Sequence, residues 1–256
     1  MFKTFQMELA GRPLIIETGK MAKQASGAVL VRYGETVVLV TSTGSKEARE
    51  GTDFFPLTVD YEEKMYAVGK MPGGFLRREG RPANSAILNA RLIDRPIRPL
   101  FDKRCRNDVH VVATVLSVDY DNAPELCGML GASASLGISD IPWDGPIAGV
   151  RVGRVNNEFV VNPTQAQLEE SSLNITVAGS ETAILMVEGG ADEAPEEDVL
   201  EAIMFGHEAI KELVAFQNKI IAEVGKQKRT LVFPEIPEEI ETSIRAYAEE
   251  PLKKAI

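Results

Sequence analysis

The run from Pro124 to Ile138 constrains the fold most, because it combines the length of a helix with unusually small side chains. Seven of its fifteen residues are Gly, Ala or Ser, and most of the others are Leu, Met, Ile or Cys. Proline is well tolerated in the first turn of a helix, where its missing N–H has no partner to lose. Small residues let a helix backbone approach its neighbours closely. We therefore predict a buried helix pressed against a β-sheet.

The sheet itself is predicted from stretches on either side of residues 62–107. Val29 and Val31 are of the β-branched type that pleated surfaces favour, and Gly34 permits a tight hairpin between two such stretches. We expect an antiparallel sheet with strands at Leu14 to Glu17, Ala28 to Tyr33, Thr36 to Thr43, Asp53 to Tyr61 and Asp108 to Val118. Between the last two strands, Asn84 to Arg95 has helical spacing. Asn84 is the expected N-cap, and Pro96 is expected to end the helix.

The same pattern begins again after the turn-forming segment from Pro142 to Pro146. Further strands are predicted at Ile147 to Val155, Glu158 to Val161, Leu173 to Ala178 and Thr182 to Val187, followed by a long amphipathic helix from Glu196 to Gly225. The fold class is therefore α/β of the α+β type, with two sheet-plus-helix halves at residues 1–145 and 146–228. A last helix from Glu238 to Ala248, before Pro251, has little after it to pack on. We expect the chain to be the front part of a longer protein.

Composition excludes several classes of protein. No apolar run approaches the roughly 20 residues needed to cross a bilayer, and the N-terminus lacks the apolar stretch of a signal peptide, so we expect a cytoplasmic protein without membrane contact. Cys105 and Cys127 form no C-x-x-C pair and are predicted to be buried thiols, and His110 and His207 complete no metal site. The sequence also lacks a dinucleotide-binding glycine motif and a phosphate-binding P-loop.

Positive charge is concentrated in one part of an otherwise acidic chain. Between Lys70 and Arg106 the basic residues outnumber the acidic ones by ten to three, whereas the whole chain carries a formal net charge of −10. A local basic island on an anionic protein predicts an anionic ligand at that place.

Within this island, Arg91 and Arg95 are four residues apart and share a helix face, and the chain direction after Pro96 can bring Arg98 to the same side. Converging guanidinium groups suit phosphodiester oxygens, because their planar fork donates two hydrogen bonds to one phosphate. The alternative is structural ion pairing with Asp94, Asp102 or other carboxylates. The spacing does not decide between the two.

The segment before this helix contains Phe75, Leu76, Arg77 and Arg78 among several glycines and prolines, which is typical of an exposed loop. An aromatic side chain next to two arginines can stack on a base and hold its phosphates, as single-stranded nucleic acid requires. The alternative is a phenylalanine packed in the core beside arginines that are merely solvated. Both alternatives remain open at this stage.

At these residues the chain closely resembles the N-terminal part of the bacterial polynucleotide phosphorylase family. The resemblance runs through Gly74-Phe75-Leu76-Arg77-Arg78-Glu79-Gly80-Arg81-Pro82, the stretch from Ala90 to Phe101, Asp53-Phe54-Phe55-Pro56-Leu57, Asn162-Pro163-Thr164-Gln165 and Phe205-Gly206-His207-Glu208. It implies two ribonuclease PH-like cores separated by a helical domain, assembled as a homotrimeric ring around a channel. The activity it implies is reversible 3′-to-5′ phosphorolysis of RNA, which consumes inorganic phosphate, releases nucleoside diphosphates and uses Mg²⁺. Other RNA-degradation proteins are possible partners.

On this resemblance, the chain is the first core plus the beginning of the all-helical domain at residues 229–256. Phe75, Leu76, Arg77 and Arg78 are then expected to bind RNA at the channel, although Leu76 replaces the usual second Phe. Arg91, Arg95 and Arg98 are expected to reach toward the active site of the adjoining second core.

The resemblance also implies that this core has no catalytic and no metal-binding residue. Catalytic cores of this type carry small hydroxyl residues where this chain has Asn122-Ala123-Pro124-Glu125, and two aspartates where residues 164–172 have none. Mg²⁺ is therefore expected in the second core, and this chain alone is expected to be inactive. The alternative is a complete single-core, non-catalytic RNA-binding or scaffold subunit of a ribonuclease PH-like ring.

Overall fold

The computed structural model describes residues 2–231, 233 and 237–255. Its first sheet has six strands in the order β1-β2-β3-β4-β6-β5. The strands are β1 (Lys3–Leu9), β2 (Arg12–Thr18), β3 (Gly27–Tyr33), β4 (Thr36–Ala48), β5 (Leu57–Glu63) and β6 (Asn107–Ser117). Buried valines alternate along β3, β4 and β6, so one face of the sheet carries the core. β1 was not predicted, because its alternation of half-buried and exposed residues includes few β-branched side chains.

The sheet departs from the predicted antiparallel arrangement at one edge, since β5 runs parallel to β6. Parallel neighbours need a long crossover connection. Residues 64–106 supply it, with a 3₁₀ turn at Met65–Val68, an exposed loop, and helix α1 (Asn84–Ile97). The loop after β5 and the turn after β6 therefore emerge at the same end of the sheet.

The boundaries of α1 correct two predictions. Its N-cap is Ala83 rather than Asn84, and no side chain caps the helix. Pro96 lies inside the helix instead of ending it, and the chain continues through Ile97 into a 3₁₀ turn at Arg98–Leu100. Pro96 and Ile97 are both buried, so packing of this last turn against the core holds the helical conformation despite the missing N–H.

Helix α2 (Pro124–Ile138) confirms the predicted central helix. It packs against β3, β4 and β6 on one side and against β7 (Ala148–Val155) of the second sheet on the other. All its residues from Leu126 onward are buried. A Cβ at Gly131 would come within 2.4 Å of Val40 Cγ2, so this close approach requires glycine. The burial of Cys127 raises the pKa of its thiol to about 12, as expected for a buried cysteine.

The second half is a four-stranded antiparallel sheet in the order β10-β9-β7-β8. Its other strands are β8 (Glu158–Val161), β9 (Leu173–Gly179) and β10 (Ile184–Ala191), and a short helix α3 (Gln165–Glu170) precedes β9. Helix α4 (Glu196–Val224) covers this sheet and contacts α2. The two predicted sheet-plus-helix halves are thus present and share one hydrophobic core.

The chain after α4 remains attached to the first half through Lys228 and Arg229. Lys228 Nζ donates hydrogen bonds to the carbonyl oxygens of Leu136, Gly137 and Ser139 at 2.8–2.9 Å, at the end of α2. Burial lowers the pKa of Lys228 to about 8. Residues 232 and 234–236, within the expected beginning of the helical domain at residues 229–256, lie outside the described residues.

Helix α5 (Glu238–Ala255) is longer than predicted and includes Pro251. It has no buried residue, and Ile240, Ile244 and Tyr247 are at least half exposed along it. None of the described helices has both the length and the apolar composition to span a membrane.

Candidate nucleic-acid interface

The basic loop, which we define as residues 69–83, projects from the first sheet between the 3₁₀ turn and α1. Phe75 is 100% exposed and Leu76 71% exposed, so the core-packed alternative does not apply to this phenylalanine. A turn closed by the Arg77 N–H donating to Gly74 O at 2.9 Å brings them to the loop tip. Arg77 adopts a left-handed backbone conformation with φ +48°, which is uncommon for a residue with a side chain.

The guanidinium groups at the tip of the basic loop have no partner among the residues that the structure describes. Neither Arg77 nor Arg78 makes a side-chain hydrogen bond or ion pair with another described residue, and both are exposed. The loop is held to the body of the protein by Glu79, whose Oε1 accepts a hydrogen bond from the Met65 N–H at 2.9 Å. The tip therefore presents an aromatic ring, a leucine and unneutralised positive charge to solvent.

The two arginines of α1 and Arg98, which directly follows the helix, do not behave as one cluster. Arg98 makes a two-pronged ion pair with Asp94, with distances of 2.9 Å from Nε to Oδ2 and 2.7 Å from Nη2 to Oδ1, and also donates to Leu57 O at 3.0 Å. Arg95 pairs with Glu188 of β10. The structural ion pairs that the sequence left open are thus present for these two arginines, with Glu188 as an unforeseen partner.

Arg91 is the exception on this helix. It is exposed, and no hydrogen bond or ion pair joins its guanidinium to another described residue. Because α1 rises about 1.5 Å per residue, Arg91 lies only about 6 Å along the helix axis from Arg95. The basic island of the sequence therefore contains free guanidinium groups at Arg77, Arg78 and Arg91 and paired ones at Arg95 and Arg98, when only described residues are considered.

A second polar region, the polar network, surrounds the start of α2. We define it as Arg12, Asp119, Asn122, Glu125, Arg151 and Asn162. Arg12 donates to Asn122 Oδ1 and to Asp121 O, each at 2.9 Å, and also to Asn162 O. Asn122 in turn donates to Asp119 Oδ2 at 2.6 Å. A hydrogen bond from the Asp121 backbone N–H, with further donors around it, lowers the pKa of Asp119.

Glu125 completes the network by pairing with Arg151 of β7. Arg151 Nη2 lies 2.7 Å from Glu125 Oε1, and the side chains are only 23% and 13% exposed. The Arg151 backbone N–H also donates to Asn162 Oδ1 at 2.9 Å. Among the described residues, the Arg151 guanidinium group is therefore paired with Glu125, and Arg12 hydrogen-bonds to carbonyl and amide oxygens.

Acidic residues do not assemble into a metal site in the part of the chain that the structure describes. No group of three or more His, Cys, Asp or Glu side chains has the proximity needed to hold an ion there. Glu169 and Glu170 at the end of α3 are exposed, and α3 begins with a capping box formed by Thr164 and Gln167. His110 lies on β6 with Nε2 2.7 Å from Asp60 Oδ2, and His207 contacts Ser180 O.

Sequence comparison defines the class of protein. The 3′ exoribonuclease (RNase PH) family matches through its domain 1 at residues 10–142 and through its domain 2 at residues 145–209. The chain belongs to this 3′ exoribonuclease family, and the predicted ribonuclease PH-like fold is confirmed.

Comparison with individual curated proteins gives a more specific match than the family does. Proteins named polyribonucleotide nucleotidyltransferase from Heliobacterium modesticaldum and Geobacillus kaustophilus are each 60% identical over 254 residues, 99% of this chain. The protein of the same name from Bacillus subtilis is 58% identical over 252 residues, 98% of this chain. The matches cover 36%, 35% and 36% of these relatives, so the chain spans about a third of their length. The resemblance to polynucleotide phosphorylase is thereby confirmed over nearly the whole chain.

A solved structure extends the likeness in fold. Rice (Oryza sativa) Rrp46 superposes with a TM-score of 0.63 at 14% identity, covering 86% of this chain and 94% of that chain. At this identity the likeness concerns the fold alone.

The sequence did not predict the polar network beyond Asn122 and Glu125. Arg151 and Asn162 face each other across the β7–β8 hairpin, but Arg12 lies in the first half, so no sequence spacing relates it to them. One signal was available, because Arg151 stands between two valines in a strand of small and apolar residues that contains one further charged residue, Arg154. A charged residue in such a strand usually needs a partner.

Proposed function

We propose that this chain is the RNA-binding, non-catalytic first core of a 3′-to-5′ phosphorolytic exoribonuclease. The observation that carries the proposal is the contrast between a basic loop whose arginines have no partner among the described residues and a polar network whose four charged side chains all hydrogen-bond within the described residues. The residues proposed to bind RNA or to reach toward a neighbouring active site are Phe75, Leu76, Arg77, Arg78, Arg91, Arg95 and Arg98.

The exposure of the basic loop supports RNA binding at its tip. Base stacking needs an accessible ring, and Phe75 is fully accessible. Phosphate binding needs guanidinium groups without competing carboxylates, a condition that Arg77, Arg78 and Arg91 meet. Arg95 and Arg98 would need to exchange Glu188 and Asp94 for an RNA phosphate. This requirement makes them weaker candidates than the other three.

The polar network supports a non-catalytic role. Phosphorolysis needs a place for the attacking phosphate and charge neutralisation around the scissile bond. In this core Glu125 already neutralises Arg151, and the described residues hold no cluster of three or more His, Cys, Asp or Glu side chains suited to a metal ion. In the proposal, inorganic phosphate and Mg²⁺ are bound, and nucleoside diphosphates released, by a second core of a longer, cytoplasmic, homotrimeric enzyme.

The first experiment measures turnover. The 256-residue chain is incubated with single-stranded RNA, inorganic phosphate and Mg²⁺, and nucleoside diphosphates are quantified by chromatography. We expect no release above background, with a full-length polyribonucleotide nucleotidyltransferase as positive control. Phosphate-dependent release by this chain would contradict the non-catalytic role.

The second experiment measures RNA binding by fluorescence anisotropy across a salt series. A negative log–log slope of affinity against salt is expected, because phosphate contacts release counterions. Affinity without salt dependence would exclude the basic loop as the RNA contact. A native transcript that stops after Ile256 would support the alternative of a complete single-core RNA-binding subunit, and a continuing reading frame would contradict it.

A further inference from the structure

The 3₁₀ turn Met65–Val68, at the base of the basic loop, carries an aromatic side chain that the proposed function does not use. We infer that Tyr66, together with the neighbouring Lys70, is a second base-stacking position, so that one RNA strand contacts the loop at its base as well as at its tip. The inference rests on the proposed function, since it adds residues to the same RNA site.

The ring of Tyr66 is accessible to a base. The residue is 54% exposed. Its hydroxyl makes no hydrogen bond, and its ring makes no aromatic contact, with another described residue. Stacking requires an accessible aromatic surface and accepts every base, because every base has a π-face. Tyr66 meets this requirement without any rearrangement of the chain.

The backbone that carries Tyr66 is held by hydrogen bonds on both sides. The Gly69 N–H donates to Tyr66 O and the Lys70 N–H donates to Met65 O, each at 3.0 Å. Gly69 closes the turn in the left-handed conformation, with φ +68°. Because the backbone is already fixed, stacking on Tyr66 orders only a side chain with few rotatable bonds, which keeps the entropic cost of binding small.

Positive charge accompanies the ring at the base of the loop, as it does at the tip. Lys70 is exposed, and its ammonium group makes no ion pair with another described residue. Glu62, which precedes the turn, is already neutralised by Lys64 at 2.8 Å. Tyr66 and Lys70 thus repeat the combination of an open ring and a free cation that single-stranded nucleic acid requires.

The base and the tip of the loop are close enough for one strand to contact both. The hydrogen bond from the Met65 N–H to Glu79 Oε1, at 2.9 Å, joins the two ends of the loop beside Tyr66. The four residues from Phe75 to Glu79 span at most about 14 Å. Surfaces that bind single strands extend over several nucleotides, so a short RNA can stack on both rings.

The first experiment separates stacking from charge. Binding of the whole chain to a short fluorescein-labelled single-stranded RNA is measured by anisotropy across a salt series. Tyr66→Ala should weaken binding about tenfold at every salt concentration with an unchanged salt slope, because stacking releases no counterions. Tyr66→Phe keeps the ring and should bind like wild type. Lys70→Ala should instead reduce the slope by about 0.7.

Tyr120 supplies the matched control. It is 83% exposed, in the turn closed by the Asn122 N–H donating to Asp119 O at 3.0 Å. The carboxylates of Asp119 and Asp121 on either side of it repel RNA phosphates, so Tyr120→Ala should leave affinity unchanged. Unchanged affinity in Tyr66→Ala, or an equal loss in Tyr66→Phe or Tyr120→Ala, would overturn the inference.

A spectroscopic experiment detects the contact directly. Trp143 is the only tryptophan of the chain and is buried, so Tyr66→Trp adds one exposed fluorophore at the proposed position. Single-stranded RNA should quench the emission of this variant and not that of wild type, and an abasic RNA of equal length should bind without quenching. Absence of quenching by the intact RNA would overturn the inference, even where Tyr66→Ala fails to fold.

The inference and the proposed function give different failures. If the chain binds RNA and Arg77→Ala with Arg78→Ala weakens that binding, but the Tyr66 variants behave like wild type, only the inference is wrong. If wild type binds no RNA, both are wrong.

Discussion

The basic loop and the polar network lie at the same end of the first sheet, and both contain arginines. The two regions differ in whether the guanidinium groups have partners. The guanidinium groups of Arg77 and Arg78 have no partner among the described residues, whereas Arg151 is paired and largely shielded. Arginine density in the sequence therefore does not locate a binding site by itself. What distinguishes the two regions is whether the structure supplies the counter-charge.

The largest effect is expected in the polar network. Arg151→Ala leaves Glu125 as an unpaired, poorly solvated carboxylate and should lower the free energy of unfolding by about 2–3 kcal/mol, below the range for fully buried pairs because both groups retain some exposure. Urea denaturation measures this loss, with the exposed Arg32→Ala as matched control. A loss no greater than that of the control would show that the network contributes little to stability.

Substitutions in the basic loop should weaken RNA binding without changing stability. Arg77→Ala combined with Arg78→Ala should weaken single-stranded RNA binding about tenfold and reduce the salt slope by about 1.4, because each lost phosphate contact accounts for about 0.7. The free energy of unfolding should not change, since neither side chain has a partner to lose. Anisotropy titrations at several salt concentrations check this, and an unchanged slope would assign RNA binding to other residues.

The stability of the polar network should depend on pH through Asp119. The depressed pKa of Asp119 means that its ionised form is favoured in the folded state, so its contribution to stability is present above its ordinary pKa of 3.8 and is lost as the pH falls through the lower folded value. Asp119→Asn should be less stable than wild type at neutral pH, and the difference should shrink in acid. A constant difference would show that the carboxylate's ionisation is not the cause.

For a substitution of Glu79, two explanations of RNA binding predict opposite changes in RNA affinity. If only long-range charge matters, Glu79→Ala removes a negative charge beside the loop arginines and should tighten RNA binding. Because Glu79 Oε1 accepts a hydrogen bond from the Met65 N–H and anchors the loop, and alanine has no acceptor to replace it, we expect binding weaker by about threefold. Glu181→Ala, at an exposed acid of the second half, serves as the charge-matched control.

The smallest effect is expected for the Arg95–Glu188 pair. Its side chains are 44% and 57% exposed, so a double-mutant cycle with Arg95→Ala and Glu188→Ala should give a coupling of at most about 1 kcal/mol. Such weak coupling would leave Arg95 able to exchange Glu188 for a phosphate. A larger coupling would place Arg95 with Arg151, among arginines committed to the structure.

Local signals predicted the elements whose environment agrees with their composition. The small residues of α2 and its first-turn proline led to the observed bounds of that helix. The valine-rich strands were located because their buried valines alternate along each strand and face one core. The predictions failed where tertiary contacts override local preference, as at Pro96, which packing keeps helical, and at β5, whose parallel partner is distant in sequence.

The sequence by itself determined the two sheet-plus-helix halves, the central helix, the glycine- and proline-rich basic loop and the family resemblance, because each depends on neighbouring residues or on a continuous motif. Only the tertiary structure decided that Phe75 is exposed and which arginines are paired. Ion pairs join residues from separate segments, as Arg95 joins Glu188 and Arg151 joins Glu125. A charge is neutralised by what is near in space, and distance along the chain does not report it.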